Sequence, residues 1–175
     1  MNSAAISAGP APILAPAPRL LGLRILLVIV ALIELIGSLV GASMLFDDMT
    51  VFPGPGIRGA LIKLHMASHP VLALAALILA VIGRARHAVL VLGAVVLTTW
   101  LSLVPSVALH GLGAGSGTAL TPAQVITFPL MGACAIVLAA RNQWPWLATA
   151  LVSIPTFMGT LGFVLFTITV AIVGF

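Results

Sequence analysis

Residues 20–46 read LLGLRILLVIVALIELIGSLVGASMLF, an apolar run interrupted by Arg24 near its start and by Glu34 at its middle. That exceeds the roughly 20 residues an α-helix needs to cross the hydrocarbon layer of a bilayer. Four further stretches repeat the pattern, at 59–83, 88–109, 121–140 and 146–175, and most charges fall in the joints between them. A soluble domain cannot bury five such surfaces, whereas a helix in lipid closes its backbone hydrogen bonds within its own segment. The sequence therefore predicts an all-α fold, a polytopic membrane helical bundle with five transmembrane helices. It forms a single domain over 20–175 behind an Ala/Pro-rich extended tail over 1–19.

Composition narrows the function classes. Hydrophobic residues make up 62% of the chain and charged residues 6%, where a soluble domain carries about 25% charged residues. The excess of seven basic over three acidic side chains forms no run or patch suited to a polyanion, so nucleic acid is not an expected partner. The single cysteine, Cys134, lies inside an apolar stretch and reads as a small packing residue. No HExxH, CxxC, P-loop or Gly-x-Ser-x-Gly motif is present, so hydrolytic and nucleotide chemistries lack support and no catalytic activity is expected.

The basic residues set an orientation. Arg19 and Arg24 flank the first stretch, Arg84 and Arg86 fill the second joint, and Arg141 follows the fourth stretch. With every stretch crossing once, these lie on one side, which the positive-inside rule assigns to the cytoplasm together with the N-terminus. Trp144 and Trp146, around Pro145 and beside Arg141, read as an interfacial belt on that side. His87, beside Arg84 and Arg86, reads as a topology determinant or a headgroup contact. The expected location is the cell's inner (plasma) membrane.

Local signals mark helix ends and contacts. Pro10, Pro12, Pro16 and Pro18 favour a polyproline-like tail. Thr121-Pro122-Ala123-Gln124 reads as a capping box, and the Gly/Ser-rich run 111–118 before it as an outer loop. Pro53-Gly54-Pro55-Gly56 forces an irregular connection, and Pro70, Pro105, Pro129 and Pro155 predict bends in later helices. The last stretch is long enough to tilt or to break at Pro155. Gly37 and Gly41 form a G-x-x-x-G, and Gly159 and Gly162 a second flat patch. Both suit close helix packing, within the chain or against another subunit.

Polar residues inside the apolar stretches are the candidate functional groups. Glu34 falls near mid-bilayer, where a charge costs at least about 2.5–3.5 kcal/mol on insertion scales and is paired, neutralised or functional. It is the candidate for proton coupling or for an interhelical polar contact. His65 and His69 are four residues apart and share a helix face, with Lys63 nearby and His110 at the end of the third stretch. In an up-and-down bundle these fall in the outer half, together with Asp47 and Asp48. Opposed imidazoles could hold a haem b, three could hold zinc or copper, and a His–Lys pair could bond a quinone headgroup. The plainer alternative is that His65 and His69 bond backbone carbonyls or Glu34.

The segment Ala31-Leu-Ile-Glu34-Leu-Ile-Gly37-Ser38 resembles the first helix of small multidrug-resistance transporters. The resemblance covers about eight residues and implies exchange of protons for a lipophilic cation at Glu34. The first four stretches, with Arg24 opening helix one and Gly83-Arg84-Ala85-Arg86 joining helices two and three, are similar to small DoxX-like membrane proteins. This chain has five apolar stretches where both families have four.

Taken together, the sequence leads to an accessory, structural or assembly subunit of a larger membrane complex, in contact with lipid and with other subunits or copies of itself. The alternatives are a redox subunit binding haem b or quinone through His65, His69 and His110, and a proton-coupled transporter using Glu34.

Overall fold

A computed structural model describes residues 18–43, 56–111 and 123–173, and these are helical with no strand among them. In chain order the helices are α1 (Pro18–Ser43), α2 (Gly56–Val81), α3 (Ala85–His110), α4 (Phe128–Ala140, preceded by a π turn at Ala123–Thr127) and α5 (Pro145–Val173). The tail over 1–17, Asp47, Asp48, Thr121 and Pro122 lie outside the described residues. Helix α1 starts inside the expected tail, at Pro18, because proline suits the first turn, where its missing N–H has no acceptor to satisfy.

Four helices are long and apolar enough to cross a membrane alone, namely α1, α2, α3 and α5. The expected fourth crossing is a shorter apolar helix over Gln124–Ala140. At 1.5 Å per residue it spans about 25 Å, close to the lower limit for a crossing. The chain is thus a multi-pass helical bundle running up, down, up, down, up. Helix α5 continues through Pro155 without a break.

Two tight turns bring Arg84, Arg86 and Arg141 to the end where Arg24 lies, while Arg58 stands at the other end, in the first turn of α2. Helix α2 closes on Gly83 (φ 83°), with Gly83 N–H donating to the Ala80 carbonyl and Arg84 N–H to the Leu79 carbonyl. This is the Schellman pattern, which needs the left-handed backbone that glycine adopts freely. Helix α4 closes the same way on Asn142 (φ 53°), with Asn142 N–H donating to Ala139 and Gln143 N–H to Leu138. Arginines then bond carbonyls that the helix ends leave unpaired. Arg24 donates to the Val81 carbonyl at the end of α2, and Arg86 donates to the Ala140 carbonyl at the end of α4 (2.8 Å). The arginines read from sequence as topology markers also tie neighbouring helices together.

The core lies towards this arginine-bearing end. Leu23, Leu27, Val30, Ala31, Ala76, Ala80, Leu92, Ala135 and Val152 are buried together. Small residues allow the closest helix approach, where dispersion contacts rather than water exclusion hold helices in lipid. One such approach is α3 on α4. A Cβ on Gly93 would lie 2.5 Å from Ile136 Cγ1 and 3.2 Å from the Gly132 carbonyl, and one on Gly132 would lie 3.0 Å from Val96 Cγ1. Gly37 and Gly159 have nothing within 4 Å of that position.

Candidate intramembrane site

The site begins with two acid–base side chains that the up-and-down order places at one level. The Glu34 carboxylate meets the His69 ring, with Oε2 and Nε2 2.8 Å apart. Both side chains are largely enclosed, at 16% and 15% exposure. One shared proton must lie between these atoms, on the imidazole or on the carboxyl. The other carboxyl oxygen, Oε1, accepts a hydrogen bond from Thr156 on α5 (2.5 Å). Glu34 thus joins α1, α2 and α5 at mid-membrane, the paired state that the cost of burying it demands.

Thr156 belongs to a hydroxyl stripe on α5, formed by Thr149, Ser153, Thr156 and Thr160. In this stripe Thr149 donates to Pro145, Ser153 to Thr149 and Thr160 to Thr156, each within the helix at 2.7–2.8 Å. Thr156 instead turns outward to Glu34, its own-helix contact to Val152 stretching to 3.4 Å. Its neighbour Pro155 supplies no N–H to the Leu151 carbonyl one turn back, and Pro70 follows His69 in the same way on α2.

Beside this cluster a cavity of about 540 Å³ opens between the helices. Its wall is apolar, built from residues such as Ile33, Val96, Leu103 and Phe163, with Glu34, His69, Thr99, Trp100, Gln124, Thr156 and Thr160 as its polar points. Gly37 and Gly159 line it too, which explains why nothing packs against them. This size lies within the 300–1,000 Å³ typical of small-molecule sites, as does an apolar wall with few polar groups.

Most donors on the wall are committed to the protein. Trp100 Nε1 donates to the Val125 carbonyl (2.9 Å), which Pro129, lacking an N–H, leaves without its helical partner. Thr99 donates to Val95 (2.9 Å) and Thr160 to Thr156 (2.8 Å). The lone pairs of these hydroxyls and of the Glu34 carboxyl, together with the Gln124 amide, are what a ligand would meet.

Other residues singled out by sequence fall elsewhere. His65 stacks on His69, with ring centroids 4.9 Å apart and planes tilted by 41°. His110 ends α3 at the level where α2 begins, nine residues of helix beyond His65 or roughly 14 Å along the axis. Among the described residues no group of three His, Cys, Asp or Glu side chains could hold a metal ion. Lys63 is exposed, away from the cluster, and Cys134 is exposed too. Arg84, Arg86, Arg141, Trp144 and Trp146 are all exposed around the arginine-bearing turns, and Gly22 sits against the Trp146 ring. The sequence reading missed Thr156, Thr99, Thr160 and Trp100. The α5 hydroxyls at 149, 153, 156 and 160 recur at helical spacing, a signal that marks one face.

The chain matches no protein-family model, no curated protein and no solved structure. The likenesses to small multidrug-resistance and DoxX-like proteins therefore rest on short local segments and joint residues.

Proposed function

We propose that the protein is a small proton-coupled carrier that binds a lipophilic molecule in the cavity and exchanges it against the proton of the Glu34–His69 pair. The observation that carries this reading is the placement of an acid–base pair in the wall of an apolar cavity at mid-membrane. An intramembrane carboxyl facing a cavity marks a substrate or proton pathway.

The matching ligand has an apolar body and a hydrogen-bond donor, such as an amine, because the wall offers mainly acceptors. A quinone carries acceptors and would find its free donor chiefly at Gln124. The positive-inside rule supports a cytoplasmic position for the arginine-bearing end and the inner (plasma) membrane as the location. A subunit role in a larger complex is a separate proposal, which copurification of partner subunits tests.

The direct test uses proflavine, an aromatic amine, and calorimetric titration of the protein in nanodiscs in two buffers of different ionisation enthalpy. Binding with release of about one proton per site is expected by linkage, and Glu34→Gln is expected to abolish that release and weaken binding. Equal binding and equal proton release in Glu34→Gln, with an unchanged unfolding midpoint, would overturn the reading.

A further inference from the structure

A proton held in mid-membrane needs a route to water. His69 is half-way along α2, and one helical turn before it, towards the end opposite the Arg84–Arg86 and Arg141 turns, lies His65. The two rings are in contact, with centroids 4.9 Å apart, so that rotation about χ2 brings a nitrogen of one towards a nitrogen of the other. His65 Nδ1 is buried without a hydrogen-bond partner among the described residues. Buried polar atoms are nearly always paired, so an orphan calls for a reason.

Among the described residues no other titratable group lies between the pair and that end on the faces turned to it. Helix α1 faces the pair with Glu34, and its Arg19 and Arg24 lie at the opposite end. Helix α3 carries no ionisable side chain between His87 and His110, α4 has only Cys134, and α5 has none. On α2 itself, Lys63 is exposed and Arg58 stands further towards the same end. Hydroxyls at matching height, Ser38 on α1, Ser68 on α2 and Ser102 on α3, donate to their own helices at 2.8, 3.4 and 2.7 Å. Their lone pairs remain as acceptors above the pair.

We propose that His65 is the proton gateway of the Glu34–His69 pair, linking the cavity to the membrane face opposite the Arg84–Arg86 and Arg141 turns. This rests on the proposed proton-coupled function. A proton leaving Glu34 adds to His69 Nε2 as the O–H bond breaks and the N–H bond forms. His69 then gives up a proton from its other nitrogen, which passes to His65 and on to the outer water. Each imidazole gains one proton and loses one, so each returns to its starting charge in the other tautomer, and the reverse transfer, when a proton re-enters from the outer water, restores the first tautomer. His65 acts through the pair, as a relay residue.

The test is charge displacement in a supported bilayer, with the protein captured by an N-terminal tag so that the end opposite the Arg84–Arg86 and Arg141 turns faces the exchanged solution. A pH jump on that side moves protons into the membrane and gives a transient current. Wild type is expected to give this current, Glu34→Gln to lose it, and both His65→Gln and His65→Phe to slow it at least about tenfold. The thermal midpoint of each variant confirms that the fold is kept, and His65→Gln retains a polar group should phenylalanine pack poorly. Loss of the current in Glu34→Gln with wild-type kinetics in both His65 variants would overturn the gateway and leave the proton site standing. An unchanged current in Glu34→Gln would overturn both.

Discussion

The two halves of this bundle use the same residue types for opposite ends. Around the arginine-bearing turns, small residues bring helices into contact, leucines and valines fill the remaining space, and arginines close helix ends. Around Glu34, small residues leave space unfilled, and Gly37 and Gly159 face a cavity rather than a neighbouring helix. A glycine on a membrane helix therefore signals proximity only when a partner helix is there to use it. The packed half is a scaffold; the open half holds the acid–base pair and the cavity on which the proposed exchange rests.

Substitutions break this contrast in graded steps. The largest effect is expected for Gly93→Leu, because even its first carbon would sit 2.5 Å from Ile136 Cγ1 with the Gly132 carbonyl at 3.2 Å. Overpacking there should cost about 3 kcal/mol, seen as a lowered midpoint of unfolding in detergent mixtures. Leu27→Ala, at a fully buried position, should lose about 2 kcal/mol by leaving a void, measured in the same assay.

In the open half, Thr156→Val should cost only about 1 kcal/mol for the lost bond to Glu34 yet weaken proflavine binding by a larger factor than Leu27→Ala does. The smallest stability effect is expected for Gly159→Ala, within about 0.5 kcal/mol of wild type, with binding reduced because the added methyl enters the cavity. Equal destabilisation by Gly93→Leu and Gly159→Ala would erase the distinction between the halves.

The fold was legible because lipid imposes one rule on every segment: an apolar helix must be long enough and must satisfy its own backbone. Residues 20–46 and 59–83 announce α1 and α2 on that basis alone, with ends displaced by two or three residues. The short α4 was less legible, since the π turn at Ala123–Thr127 follows from Pro129 and from the Trp100 indole on another helix. Glu34 and the His65–His69 face stood out because polar groups are costly in lipid. Their pairing through His69 was one of several open options, because it depends on the relative height of two helices that spacing does not fix. Thr156 escaped notice because a single threonine in a membrane helix ordinarily bonds its own backbone. The Gly93–Gly132 contact joins one glycine from each of two helices, and no short motif records it.

Reaction with dicyclohexylcarbodiimide, a lipophilic reagent for protonated carboxyl groups, addresses the cavity and its acid together. The chain has three acidic side chains, Glu34, Asp47 and Asp48, so peptide mass spectrometry identifies the modified one without ambiguity. If the cavity admits lipophilic molecules to an exchangeable proton, Glu34 is modified, proflavine protects it, and Thr156→Val leaves it reactive. An unmodified Glu34 in the folded protein at every pH from 5 to 8, the range over which histidine ordinarily changes charge, would contradict a ligand-accessible proton site.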